Sequence, residues 1–292
     1  MLEQEYDFYL ADTDAGKSIH YNLRYRVYCL REKFEDPSHY PNSLEQDEYD
    51  DASAHFIVRS RVTGEWLGAM RLIVAPMQNL PVSRLCSVDA ENFSGVNQKR
   101  VAEASRLCTV LPTAPRENFS PNATKSYIPA PARSCHHNRD ALQTSWLALG
   151  LIRAARQYCL KHEIVHCFFL ISDPLARILR RLGMEIEPVG SPCQHRGWRR
   201  PYIHNVKTGY QAMTTRSPEL YKSFCRPTAY ARFSELEDSS EALPLAACGG
   251  ERRLVSLRLN PRETHHKPKD QGDRDERHEA PFLISPAAAW RF

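Results

Sequence analysis

Nowhere in the 292 residues does a run approach the roughly 18 consecutive apolar residues that a membrane-spanning helix needs, so no stable membrane insertion is expected. A strong charge of one sign is also missing. The 39 Lys and Arg against 35 Asp and Glu leave a net +4, too mild to make nucleic acid the expected partner. The opening Leu2-Glu3-Gln4-Glu5 lacks the basic start of a secretory signal, so a cytoplasmic location is expected. The nine cysteines lack both an even count and a regular spacing, which favours free buried thiols over a disulfide framework. No internal repeat is visible.

What is present is a chain of alternating elements. Tyr6 to Leu10 alternates as a strand does, and Ile19, Leu23, Val27 and Leu30 recur at helical spacing. Two strands follow, about His55 to Arg61 and Trp66 to Val74, joined by the turn residues Thr63-Gly64. Val101 to Val110 reads as another strand. The stretch from Leu111 to Asn138 has no period and many prolines, as a functional or disordered loop would. Asp140 is placed as the N-cap of a long helix to about His162. The run from Ile164 to Ile171 is a buried strand, and Asp173-Pro174 opens a helix to Leu182. Tyr202 to Val206 closes the sheet, and a short helix starts after Ser217-Pro218. This order implies an α/β (α+β) domain over 1–230, a mixed central sheet flanked by helices, and a mostly disordered polar tail over 231–292.

The residues with chemical potential fall into four places. Arg24 and Tyr28 stand four apart on one helix face, with Phe34 just beyond. Glu45 to Asp51 is an acidic segment placed to hang carboxylates, Asp47 and Asp50 among them, over one end of the sheet. Arg71 lies in a strand. Glu103-Ala104-Ser105-Arg106 lies in another, where strict alternation sets Glu103 and Ser105 on one face and Arg106 on the other. Charges in strands otherwise rich in Val, Ala and Leu need partners, and these acids and arginines can supply them mutually.

Arg24-x-x-x-Tyr28, Phe34, Asp47-x-x-Asp50, Arg71-Leu72 and Glu103-x-Ser105-Arg106 occur in the order found in acyl-homoserine-lactone synthases, and the chain resembles them over about residues 5 to 225. Those are enzymes of the GNAT fold. The wider pattern looks closer to the acyltransferases associated with the PEP-CTERM/exosortase system. It includes Tyr25-x-Val-Tyr-Cys, Gly68-x-x-Arg71-Leu72 and the late Gly197-Trp198-Arg199-Arg200-Pro201-Tyr202. The chain is also similar to N-acyl amino acid synthases.

The resemblance implies a GNAT, acyl-CoA N-acyltransferase-like fold. It implies transfer of a fatty acyl group from acyl carrier protein, or acyl-CoA, to a small-molecule amine, with no bound cofactor and no metal. Glu103 would be the general base, with Asp47 and Asp50 orienting it or binding the acceptor. Arg24, Arg71 and Arg106 would order the acidic segment through bidentate pairs, and Tyr28, Phe34 and Ser105 would line the substrate site. Backbone N–H groups where strands splay after Arg106 would hold the oxyanion. Tyr28 and Phe34 stand where the lactone synthases favour Phe and Trp, and the 111–138 loop is longer than theirs. Both departures touch the lactone-forming substrate more than acyl transfer.

Met70, Leu72, Leu107, Trp146, Leu149 and Phe168 are candidates for an acyl slot. Arg153, Arg156, Arg177, Arg180, Arg181, Arg199 and Arg200 are candidates for a surface that docks an acidic carrier protein. The pyrophosphate loop of coenzyme-A-dependent GNAT enzymes is not apparent before the long helix, which favours the carrier protein as donor. Ala15-Gly16-Lys17-Ser18 is like the end of a P-loop, but Ala11 stands where the first glycine is required, so a helix start is the better reading. Cys135-His136-His137 with Cys193 and His195 fits no usual zinc spacing. A lactone synthase using S-adenosylmethionine and a non-catalytic acyl-carrier-binding protein are the alternatives.

Overall fold

The structure is a computed structural model that describes residues 5–88, 95–110, 134–227 and 229–239, with the backbone but not the side chains of 134–142. The strands are β1 (Tyr6–Leu10), β2 (Ser53–Ser60), β3 (Trp66–Ala75), β4 (Val101–Thr109), β5 (His166–Ile171), β6 (Ile186–Pro188), β7 (Cys193–Gln194), β8 (Trp198–Asn205) and β9 (Ala231–Arg232). The α-helices are α1 (Asp14–Arg24), α2 (Pro81–Leu85), α3 (Ser134–Lys161), α4 (Asp173–Leu182), α5 (Met213–Arg216), α6 (Pro218–Phe224) and α7 (Phe233–Asp238). One mixed sheet runs in the order β6-β8-β5-β4-β3-β2-β1-β9, with β7 paired to β8. Parallel pairing joins β4 to β5 and β1 to β9; the other neighbours are antiparallel. This is a GNAT-like arrangement of a mixed sheet flanked by helices.

Alternation along the strands fills both faces. Phe56, Val58, Met70 and Leu72 point to one side and pack with Leu147, Leu151 and Ala154 of α3. Ile57 and Ala69 point to the other, where Leu23 of α1 and Val27 and Tyr28 beyond it cover them. Helix α1 begins with Thr13 accepting a hydrogen bond from Gly16 N–H, so Ala15-Gly16-Lys17-Ser18 is a capped helix start. After Arg24 the winding widens to a π-helical turn over Tyr25–Arg31, closed by Glu32 N–H on the Val27 carbonyl. Helix α3 touches the sheet so closely at Gly150 that an added Cβ would sit 2.1 Å from Phe8 Cζ. Gly150→Ala gains about 1 kcal/mol of helix propensity. It also drives a methyl into a buried ring, which costs about 1–3 kcal/mol. A net loss of stability is expected in urea unfolding.

Three expectations need correction. Helix α3 already runs from Ser134, so its start is not at Asp140. The fold does not stop at 230. Ala231 and Arg232 pair with Tyr9 and Leu10, and Phe233 is buried against Tyr9 and Trp66. A two-residue strand and one anchoring ring carry too little periodicity to announce themselves. Cys86 and Cys193 form a disulfide, with Cα atoms 5.8 Å apart, whereas Cys29, Cys108, Cys159, Cys167 and Cys225 are free. The partners lie 107 residues apart, and only the tertiary fold brings them together. The 111–133 part of the expected loop and the tail beyond residue 239 lie outside the described residues. Among the described residues no helix is long and apolar enough to cross a membrane.

Candidate active site

β4 and β5 pair only from Ala102↔Cys167 to Ala104↔Phe169. Beyond that point they part, and a cavity of about 370 Å³ opens between them. That volume suits a small-molecule pocket. One wall is polar, made by Tyr28, Asp47, Arg71, Glu103, Ser105 and Arg106. The facing wall is apolar, with Leu107, Ile152, Phe169, Ile171, Leu175 and Leu179.

The polar wall is built by a buried charge network. Arg24 is fully buried, donating to Glu45 and, at 2.6 Å, to Asp50. Arg71, 1 % exposed, donates to Asp47, to Asp50 at 3.0 Å and to Ser105 Oγ at 3.1 Å. Arg106 donates to Glu45 Oε1 and Asp47 Oδ2, each at 2.9 Å. Three guanidinium groups thus meet three carboxylates. Burial alone would push Asp50 up, but Arg24 and Arg71 outweigh it and hold that carboxyl at about 2. Asp47 and Glu45 likewise end below the usual carboxylate range, because their arginines outweigh burial.

Arg106 overturns the strict alternation expected for β4. Arg71 pairs with Ser105 and Ala69 with Cys108, so β4 carries an extra residue there. Arg106 takes the left-handed conformation, φ 52°, as the bulged residue. The bulge returns Arg106 to the face of Glu103 and Ser105. From there it reaches the acidic segment and lies 5.5 Å from the centre of the Tyr28 ring.

Glu103 stands apart from this network. It is 2 % exposed and accepts a 2.8 Å hydrogen bond from the Val82 N–H at the start of α2. Burial raises its pKa to about 7, while Val82 N–H, Arg71 and Arg106 pull in the other direction without prevailing. A carboxyl poised there can take up and return a proton near neutral pH. Asp47 and Asp50 do not serve as its orienting partners; their oxygens are occupied by arginines and by the backbone N–H groups of Tyr49 and Asp47.

The remaining expected site residues divide. Tyr28 lines the cavity and donates from its hydroxyl to the Leu107 carbonyl at 3.2 Å. Arg24, Asp50 and Phe34 lie behind the wall; Phe34 packs beside Tyr28, ring centres 6.3 Å apart. Of the acyl-slot candidates, Met70 and Leu107 line the cavity. Leu72, Leu149 and Phe168 are buried core outside it, and Trp146 is partly exposed. The expected carrier-docking surface is not assembled as one patch. Arg153 is buried, Arg156 stacks on Tyr210, Arg180 bonds the Ile186 carbonyl, and Arg199 turns to the cavity.

Sequence reasoning left out Glu45 as a site residue, although it is fully buried between Arg24 and Arg106. Nothing in the spacing sets it apart from Glu48, since its partners lie 21 and 61 residues away. His195 and Arg196 were also missed; the β7–β8 hairpin brings them to the cavity. Among the described residues no three His, Cys, Asp or Glu side chains gather to hold a metal ion. Cys193, in the disulfide, is removed from any zinc set. The side chains of Cys135, His136 and His137 lie outside the described residues.

Residues 23–112 match the acetyltransferase (GNAT) domain family, a span that holds the whole network and Glu103. The chain is an acyltransferase of the GNAT type. No curated protein matches it in sequence. Among solved structures it is similar to TofI in a ternary complex with an inhibitor and MTA. That match has 17% identity and a TM-score of 0.49, over 74% of this chain and 99% of that one. It is similar to BjaI, a CoA-dependent acyl-homoserine lactone synthase with SAM and isopentyl-CoA. There the identity is 15% and the TM-score 0.49, over 78% of this chain and 92% of that one. FeeM, an N-acyl amino acid synthase from uncultured soil microbes, matches at 14% identity and TM-score 0.47, covering 70% and 91%. The chemistry of this GNAT-type enzyme rests on its own residues.

Proposed function

We propose that this enzyme moves a fatty acyl group from a thioester, on acyl carrier protein or coenzyme A, to the amine of a small acceptor such as an amino acid. The observation that carries this reading is Glu103, buried with a pKa of about 7 in the wall of a cavity whose facing wall is apolar. The apolar wall suits an acyl chain. The opening between β4 and β5 lets the thioester carbonyl approach backbone N–H groups that would hold an oxyanion.

The acceptor nitrogen attacks the thioester carbon, forming a C–N bond while the carbonyl electrons move to oxygen. Glu103 takes the proton that the nitrogen sheds. Collapse of the tetrahedral intermediate breaks the C–S bond, and the departing sulfur receives a proton from Glu103. Atoms and charge balance without a metal or redox partner. Asp47, Arg71 and Arg106 keep the wall in shape while this happens. The late Gly197-Trp198-Arg199-Arg200-Pro201-Tyr202 motif supports placing the enzyme with the PEP-CTERM/exosortase-associated acyltransferases.

The test is mass spectrometry of the purified protein with long-chain acyl carrier protein or acyl-CoA and pooled amino acids, with and without S-adenosylmethionine. An N-acyl amino acid is the expected product. A product that appears only with S-adenosylmethionine makes the enzyme a lactone synthase instead. Absence of any acylated amine across these donors and acceptors would overturn the reading.

A further inference from the structure

The charges around the cavity nearly cancel. Arg24, Arg71 and Arg106 answer Glu45, Asp47 and Asp50; Arg196 is paired with Glu35 and lies 5.6 Å from the Tyr28 ring centre. Arg84 has Glu48 at 3.9 Å. Two ionisable groups in the wall stay outside this pairing. One is Glu103. The other is Arg199, half-buried, which donates from Nε to the His195 carbonyl at 2.8 Å and from Nη2 to the Arg196 carbonyl at 3.1 Å. Among the described residues no carboxylate comes within ion-pair reach of it. Burial lowers its pKa, as expected for a cation drawn partly from water without a counter-charge.

The support of Arg199 is rigid. Its two carbonyl bonds close back onto the tip of its own hairpin, where Arg196 at φ 51° and Gly197 at φ 95° make the reversal. Strain at a non-glycine residue persists where surroundings over-determine it, and here Glu35, Tyr28 and the Cys86–Cys193 bond do so. The rest of the guanidinium fork is uncommitted, and a planar fork suits an oxyanion.

We propose that Arg199 is the receptor for an anionic group on the substrate, a carboxylate or a phosphate, and so a specificity-determining residue of this site. The proposal rests on the acyltransferase reading above. A free amino acid offers an amine and a carboxylate, the complements of Glu103 and Arg199. A phosphopantetheine arm offers a phosphate as the other source.

Equilibrium binding separates these sources without needing turnover. Two probe pairs are titrated calorimetrically into wild type, Arg199→Leu and Arg199→Lys. The first pair is N-dodecanoylglycine and its amide; the second is S-dodecanoylpantetheine with and without its 4′-phosphate. In one pair, removal of the negative charge is expected to weaken wild-type binding about tenfold or more. Arg199→Leu should bind both members of that pair equally, and Arg199→Lys should recover part of the difference. A carboxylate effect names the acceptor, and a phosphate effect names the donor. If wild type binds the probes but ignores their charge, or Arg199→Leu keeps the preference, the receptor role is overturned while the acyltransferase reading stands. If no probe binds wild type, both fall.

Discussion

Glu103→Gln should turn over at about one hundredth of the wild-type rate or less, with the substrate KM values little changed. The shape of the side chain and its acceptance of the Val82 N–H survive the change. What disappears is the ability to hold a proton in transit. The wild-type kcat/KM should fall as pH drops through about 7, where Glu103 becomes protonated, and the variant should lose that inflection.

Stability should move in the opposite sense. The folded pKa of Glu103 lies above its unfolded value of about 4.3, so between the two the unfolded chain has given up a proton that the folded chain keeps. Folding therefore loses stability as pH rises through that window, by about 3–4 kcal/mol in total. Glutamine does not ionise, so the variant should regain part of that loss above pH 7 while remaining inactive. Thermal unfolding against pH together with initial rates checks both halves. A variant with wild-type turnover would remove Glu103 from the reaction.

Arg24→Met should destabilise the protein by about 3–5 kcal/mol, since it strands Glu45 and Asp50 in a buried site without their shared cation. Against a typical total of about 5–15 kcal/mol, that loss brings the folded state close to failure. A lower urea midpoint with an unchanged slope is the expected signature. Arg24→Lys should recover only part, because an ammonium lacks the fork that engages two carboxylates at once. Removing Glu45 along with Arg24 should cost less than the sum of the single changes, since one charge of each sign leaves together. Additive losses would show that the network is not a unit. Acid should probe it too. Asp50 keeps its charge down to about 2, so its contribution is present above the ordinary carboxylate range and is lost as pH falls toward that value.

Much of the scaffold was legible from local pattern. β1 and α4 stand where alternation and the Asp173-Pro174 start place them, because each buries one regular face. The candidate site was legible as a set of charges that had to be paired, since three arginines and an acidic segment in apolar surroundings have few other ways to be buried. Their detailed pairing was not. The face of Arg106 depends on a bulge, and a bulge changes no residue type. Glu45 is distinguished from Glu48 only by neighbours far along the chain. Arg199 lies in a motif that was noted, yet its orientation comes from a hairpin turned back on the sheet. Cys86 and Cys193 are brought together by that same packing.

The bulge in β4 also governs how this strand tolerates changes in length. Before Arg106 the strand presents Glu103 and Ser105 to the acidic segment; after it, Leu107 faces α3 and Cys108 packs against the α1 side. Loss of one residue between Ser105 and Leu107 would restore even pairing at the expense of Arg106. Loss of one residue elsewhere in β4 would keep the surplus but move every following side chain to the opposite face. A gap in this strand, when related chains are aligned, is therefore compatible with the site at that one point only.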